Sequence, residues 1–242
     1  MTRVPRPAEH VQSAKSAGEA GGRAGSVESL YPFLYQSTID PAKVFAQALQ
    51  STLAKTREII DLRVEVCART SNLLASCAAD MAARFLAGGR LLSFGNGGSA
   101  TDAADLTTLF LYPPGGVLSL PALDLASDVS VLTALANDIG VEVIFARQLA
   151  ALGKPADIAL GLSTSGNSEN LLRAFDEARQ AGMLTVGLSG YDGGKMAEIA
   201  SLDYLFVAPS ASIHRIQEAQ TTIYHILWEL VVAELDRGPV IT

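Results

Sequence analysis

With 242 residues, 49% of them hydrophobic, the chain carries apolar material for one full-sized core, or one core plus a helical extension. Eighteen Lys and Arg stand against 25 Asp and Glu, a formal charge of -7 that excludes a nucleic-acid backbone as a direct partner. A charged fraction of 18% is low for a monomer that must solvate its whole surface, so apolar surface is expected to be buried between subunits.

Met1 to about Ser26 is rich in Gly, Ala, Ser, Pro and alternating charges and reads as a disordered tail, with residues 27–242 as a single domain. His10 lies in that tail and is read as incidental. The N-terminus shows no apolar core of a signal peptide, and no run of about eighteen apolar residues could span a bilayer, so the cytoplasm is the expected compartment. From Pro41 the apolar residues Val44, Ala48, Ala54, Ile59, Leu62, Val66, Leu73, Leu74, Met81 and Phe85 recur every three or four positions. One or two long amphipathic helices are predicted over 41–87. Cys67 and Cys77 fall inside them, match no metal-ligand spacing, and read as buried free thiols.

After Gly88-Gly89 short apolar runs alternate with helical stretches. Strands are predicted at Arg90–Phe94, Leu118–Leu123, Ile158–Leu162, Leu184–Leu188 and Tyr204–Val207. Helices are predicted near Ser99–Leu111, Val129–Ala136, Val141–Leu152, Ser168–Ala181 and Lys195–Ala200, with a last one over about Ile213–Leu235. Near-continuous apolar strands alternating with helices predict a parallel sheet covered on both faces.

Ligands of such sheets bind beyond the carboxyl ends of the strands. Gly95-Asn96-Gly97-Gly98-Ser99 follows the first strand and opens a helix, where glycines allow close backbone approach and the helix N-terminus offers N–H donors to an anion. The alternative reading is a tight connection and nothing more. Ser163-Thr164-Ser165-Gly166-Asn167-Ser168 follows the third strand and opens a second helix, with four hydroxyls and an amide that suit the oxygens of a phosphate monoester. Its alternative is a polar loop in which Ser168 serves only as N-cap. Two such loops at one sheet edge favour phosphate binding. No Gly-Lys-Ser/Thr of a nucleotide P-loop is present, and the first loop lacks the spacing of a dinucleotide fingerprint.

These two loops, together with Ala136-Asn137-Asp138, Gly190-Tyr191-Asp192-Gly193-Gly194-Lys195-Met196 and Arg215-Ile216-Gln217-Glu218, resemble the phosphoheptose isomerases in order from about Pro41 to Leu235. The resemblance implies a three-layer αβα SIS fold with a five-stranded parallel sheet, and an enzyme interconverting sedoheptulose 7-phosphate and an aldoheptose 7-phosphate. It further implies a homotetramer with active sites lined by neighbouring subunits. Residue by residue, it implies that Ser163, Thr164, Ser165 and Ser168 hold the phosphate, while Asn96, Gly97, Ser99, Asp138 and Gln217 line the sugar. The family carries a His and a Glu four residues apart on the helix after the first loop, for metal ligation and as catalytic base. This chain has Asp105 and Leu109 there, and keeps Gln217 and His225 on the last helix.

Aldose–ketose isomerisation needs a base to remove the proton α to the carbonyl and an acid for the enediolate oxygen. His225 and Asp105 are the candidates, with Gln217 beside them; Leu109 supplies neither function. For zinc or another divalent metal the candidate ligands are Gln217 and His225, eight residues or about 12 Å apart along a helix, with Asp105 as a further oxygen donor. The other reading of His225 is a helix-face histidine satisfied by its neighbours. Three functions remain open: a phosphoheptose-type isomerase with a rearranged acid–base set, a non-catalytic sugar-phosphate sensor or adaptor, and an isomerase or epimerase of another phosphosugar.

Overall fold

The computed structural model describes residues 40–237, so the expected tail lies outside the described residues. The chain divides into two units, Met1–Gln50 and Ser51–Thr242. Within the first, Asp40 opens a helix by accepting the Ala42 N–H on its side chain at 3.0 Å. That helix, α1, is continuous over Pro41–Leu86, a single element where one or two were expected. Its residues Ile59, Leu62, Val66, Leu74, Cys77, Ala78, Met81 and Ala82 are buried at helical spacing. Burial, reinforced by Asp80 and Asp203, pushes the Cys77 thiol well up and leaves it inert.

The five strands are β1 (Leu91–Gly95), β2 (Ala122–Asp124), β3 (Ile158–Leu162), β4 (Leu184–Gly190) and β5 (Tyr204–Ala208). They pair in parallel in the order β2-β1-β3-β4-β5. The helices between and after them are α2 (Gly98–Leu111), α3 (Val129–Asp138), α4 (Ile144–Leu152), α5 (Glu169–Gln180) and α6 (Ile213–Arg237). Strand residues split between two cores by their period of two. Leu91, Leu160, Val186 and Phe206 face a cluster with α1, α2 and α6, whereas Leu92, Phe94 and Ala159 face one with α4 and α5. That is the expected three-layer αβα arrangement. Gly161 on β3 leaves the space in which the Phe94 and Phe175 rings meet, their centroids 5.3 Å apart.

Two expected elements differ. The strand expected from Leu118 starts only at Ala122, because Pro121 has no N–H for a ladder and Leu118 is exposed. The helix expected at Lys195–Ala200 shrinks to a 3-10 turn over Gly194–Ala197. Gly193 and Gly194 have φ of 99° and 55°, and the Met196 N–H leaves the helical pattern to donate to the Gly166 carbonyl at 3.0 Å.

The strand order reverses between β1 and β3. From β1 the chain moves outward to β2, then returns past β1 to β3 and continues the other way. The two chemistry-bearing loops leave these two strands. Both therefore open onto the crevice where doubly wound sheets take their ligands.

Candidate active site

At the crevice the Asn96 and Asn170 side chains exchange two amide hydrogen bonds, each 2.9 Å. Asn96 follows β1 and Asn170 is the second residue of α5, so the pair ties the two loops to each other. Gly97 caps α2 with φ 55°, and no atom lies within 4 Å of where its Cβ would be. The backbone there borders open space, and only glycine takes that conformation freely. Ser99 is buried in the first turn of α2, its N–H donating to the Asn96 carbonyl at 3.0 Å.

The loop after β3 is held from three sides. The Ser163 N–H donates to the Leu188 carbonyl on β4 at 2.9 Å, and its carbonyl accepts from Gln220 Nε2 on α6 at 3.2 Å. Gly166, with φ 66°, lies so close to the Gly193 carbonyl that a Cβ would collide with it. The Lys195 N–H donates to Asn167 Oδ1 at 2.9 Å. The glycine-rich turn after β4 is thus a backstop for the hydroxyl loop. Inside the loop, Ser163 Oγ accepts from the Gly166 N–H at 3.1 Å and Ser165 Oγ from the Asn167 N–H at 3.2 Å. Ser168 is the N-cap residue of α5, yet its side chain makes no capping bond; its hydroxyl lies 3.4 Å from Ser163 Oγ. The capping-only reading of Ser168 therefore fails. These hydroxyls, with the half-buried Thr164, surround a helix start whose first N–H groups have no intrahelical acceptor.

A second set runs down the seam between α2 and α6. Asp102, Asp105 and Leu109 are spaced i, i+3, i+7 and share one face of α2. Gln217 Nε2 donates to Asp102 Oδ2 at 3.1 Å, and its amide is packed so closely on Gly98 that a Cβ there would strike it. Further along, the Tyr224 hydroxyl donates to Asp105 Oδ2 at 2.6 Å, and His225 Nε2 lies 4.0 Å from the same oxygen. Leu109 packs against the apolar cluster and brings no polar atom. Asp105 and His225 are thus brought together as expected. Gln217 is engaged by Asp102, a carboxylate that sequence reasoning passed over although its i, i+3 spacing to Asp105 is visible. Burial pushes the Asp102 carboxyl up; Gln217's hydrogen bond opposes this and the Asp105 charge adds to it.

Asp138 stands apart. It is exposed at the end of α3 and accepts from Asn137 Nδ2 at 2.8 Å; among the described residues no hydrogen bond or ion pair links it to the other site residues. The expected metal ligands also part ways, Gln217 to Asp102 and His225 to Asp105. Among the described residues no three His, Cys, Asp or Glu side chains assemble as ligands, and Leu109 contributes no donor. The donor set does not fit a zinc site, which takes three or four N, S or O ligands.

The SIS domain model matches residues 54–190, more than half of the chain. The chain is 40% identical over 193 residues to the phosphoheptose isomerase of Aquifex aeolicus, an alignment covering 78% of this chain and 93% of the relative. It is 46% identical over 162 residues to that of Geobacter sulfurreducens, covering 65% and 83%. The chain belongs to the phosphoheptose isomerase family. The solved structure of a phosphoheptose isomerase from Francisella tularensis superposes with a TM-score of 0.72 at 33% identity, covering 77% of this chain and 98% of the other. That from Neisseria gonorrhoeae gives 0.71 at 31%, covering 77% and 99%. Family membership and the three-layer fold agree with the sequence motifs. Positions 105 and 109 lie within the residues that the SIS domain model matches.

Because folding raises the Asp102 carboxyl above its unfolded range, keeping it ionised opposes folding. The penalty is fully present above the folded value and disappears below the unfolded one. Asp102→Asn, which keeps an acceptor for Gln217, is expected to melt higher than wild type at pH 7. The difference should shrink as pH falls and vanish only below the ordinary Asp range, at about pH 3, as read by thermal unfolding followed by circular dichroism.

Proposed function

We propose that this protein is an aldose–ketose isomerase of a heptose 7-phosphate, with sedoheptulose 7-phosphate as the ketose. The observation that carries this reading is the placement of Asp105 Oδ2, on the helix that opens from the glycine loop, 4.0 Å from His225 Nε2 on α6. A carboxylate and an imidazole facing one another are the two groups the reaction needs. Asp105 takes the proton from the carbon next to the carbonyl. His225 delivers a proton to the carbonyl oxygen, giving the enediol. Return of the proton to the former carbonyl carbon, with loss to His225 of the hydroxyl proton on the carbon first deprotonated, completes the exchange. Ser163, Thr164, Ser165 and Ser168 hold the distant phosphate, while Asn96, Gly97 and Ser99 line the sugar between. Asp138 is assigned to the sugar site by the family resemblance, with no hydrogen bond to the other site residues among the described residues.

A metal would supply Lewis-acid polarisation of the carbonyl; with Leu109 apolar and Gln217 held by Asp102, this reading uses none. One observation favours a second reading, a sugar-phosphate sensor or adaptor. Leu109, half-buried, packs against the core cluster where the family resemblance places a Glu, so the usual base is replaced by apolar contact. Proton NMR of the purified protein with sedoheptulose 7-phosphate separates the two. The first reading expects an aldose to accumulate, and Asp105→Asn to lower turnover by about 10²–10⁴ with affinity little changed. No aldose at micromolar enzyme over hours selects the second.

The enediol must also be kept from water, yet the side chains of Asp105 and His225 are 60% and 46% exposed in one chain. Leu53, Ile60 and Val64 on α1 and Val129 and Val131 at the start of α3 are exposed as well. Both observations support a homotetramer in which a second copy covers the site. A cytoplasmic location fits the free thiols Cys67 and Cys77, which a reducing compartment keeps reduced. Light scattering is expected to give a mass of four chains at micromolar concentration; a monomer there rules the assembly out.

A further inference from the structure

Asp105 sits on the exposed side of α2, where an isolated Asp side chain exchanges among staggered rotamers and presents its lone pairs in no fixed direction. A base that must meet one carbon–hydrogen bond needs better definition than that. The structure supplies it from below. Tyr224 is 1% exposed, its ring set among the residues of the core cluster shared by α1, α2 and α6. From that fixed position its hydroxyl donates to Asp105 Oδ2 at 2.6 Å, within the range of an O–H donor on an ionised carboxylate. Burial and the Asp105 hydrogen bond both push the phenol up, so it remains a donor throughout the working pH range.

His225 is the next residue on α6, and its ring stacks beside that of Tyr224 with centroids 5.2 Å apart at 28°. One buried phenol thus sets both partners. It pins Oδ2 of the carboxylate and flanks the imidazole that faces the same atom. Asp105 Oδ1 accepts no hydrogen bond among the described residues and is the oxygen left for substrate.

We propose that Tyr224 is a positioning residue of the isomerisation, holding Asp105 so that its free oxygen reaches the substrate carbon while the bound oxygen stays against His225. The proposal rests on the isomerase reading above.

Tyr224→Phe keeps the ring and its packing and deletes one oxygen. Conversion of sedoheptulose 7-phosphate, followed by proton NMR with wild type, Tyr224→Phe, Asp105→Asn and the double variant, tests it. We expect Tyr224→Phe to lower kcat by about 10- to 100-fold with KM within about twofold of wild type. The double variant should be no slower than Asp105→Asn alone, since both act through one carboxylate. A melting temperature near that of wild type accompanies this result. An unchanged kcat in Tyr224→Phe overturns the proposal while leaving the isomerase standing, as does a double variant in which the two losses multiply. If Tyr224→Phe fails to fold, Tyr224→Trp and Tyr224→Leu with kcat equal to wild type also overturn it. Wild type without activity overturns the isomerase reading and this proposal with it.

Discussion

The two amide hydrogen bonds exchanged between Asn96 and Asn170 span the gap where the sheet reverses direction. A parallel sheet holds β1 and β3 side by side, but nothing in the ladder fixes the loops beyond their carboxyl ends. An amide pair, each group both donor and acceptor, does so without introducing a charge. With that distance set, the open backbone at Gly97 and the hydroxyls of Ser163 to Ser168 face one crevice rather than two independent surfaces. The glycine turn at Gly193 and Gly194 completes the frame from behind, and Gln220 from α6 ties the Ser163 carbonyl to the last helix. In the proposed function, phosphate recognition comes from fixed dipoles and hydroxyls on an acidic protein, so net charge gives no hint of it.

The seam between α2 and α6 has a different logic. Both helices carry polar groups along facing stripes. Asp102 meets Gln217, Asp105 meets Tyr224 and His225, and beyond them Leu109 closes into apolar packing. The ladder of hydrogen bonds takes up the side chains that the family resemblance assigns to a metal. A carboxylate at 105 and a leucine at 109 are consistent with one another: loss of one metal donor makes the remainder a poor cage, and a hydrogen-bonded pair is what the remaining groups form.

Much of this was legible from residue order. The apolar runs of β1, β3, β4 and β5 and the long α1 are too periodic to misplace, and two polar loops after strands mark the crevice. What the sequence could not say was who touches whom across the fold. Asn170 reads as an ordinary second residue of a helix, and only the structure sets it on Asn96. Tyr224 reads as core, and its ring is core; the function lies in one oxygen whose partner is 119 residues away. Asp102 offered a signal in its spacing from Asp105, but its pairing with Gln217 is tertiary. The strand expected from Leu118 shows the converse, since Pro121 was in plain view and marks where the ladder can begin.

Crystals soaked with sedoheptulose 7-phosphate test the central claim most directly, that the crevice at the β1–β3 reversal is a phosphosugar site. The account predicts phosphate oxygens within about 3 Å of the Ser163, Ser165 and Ser168 hydroxyls, with the sugar chain running toward Asp105 and His225. Phosphate bound instead in the open cavity of about 540 Å³ beside Arg215, Glu58 and Ser212, with the hydroxyl loop empty, would contradict it.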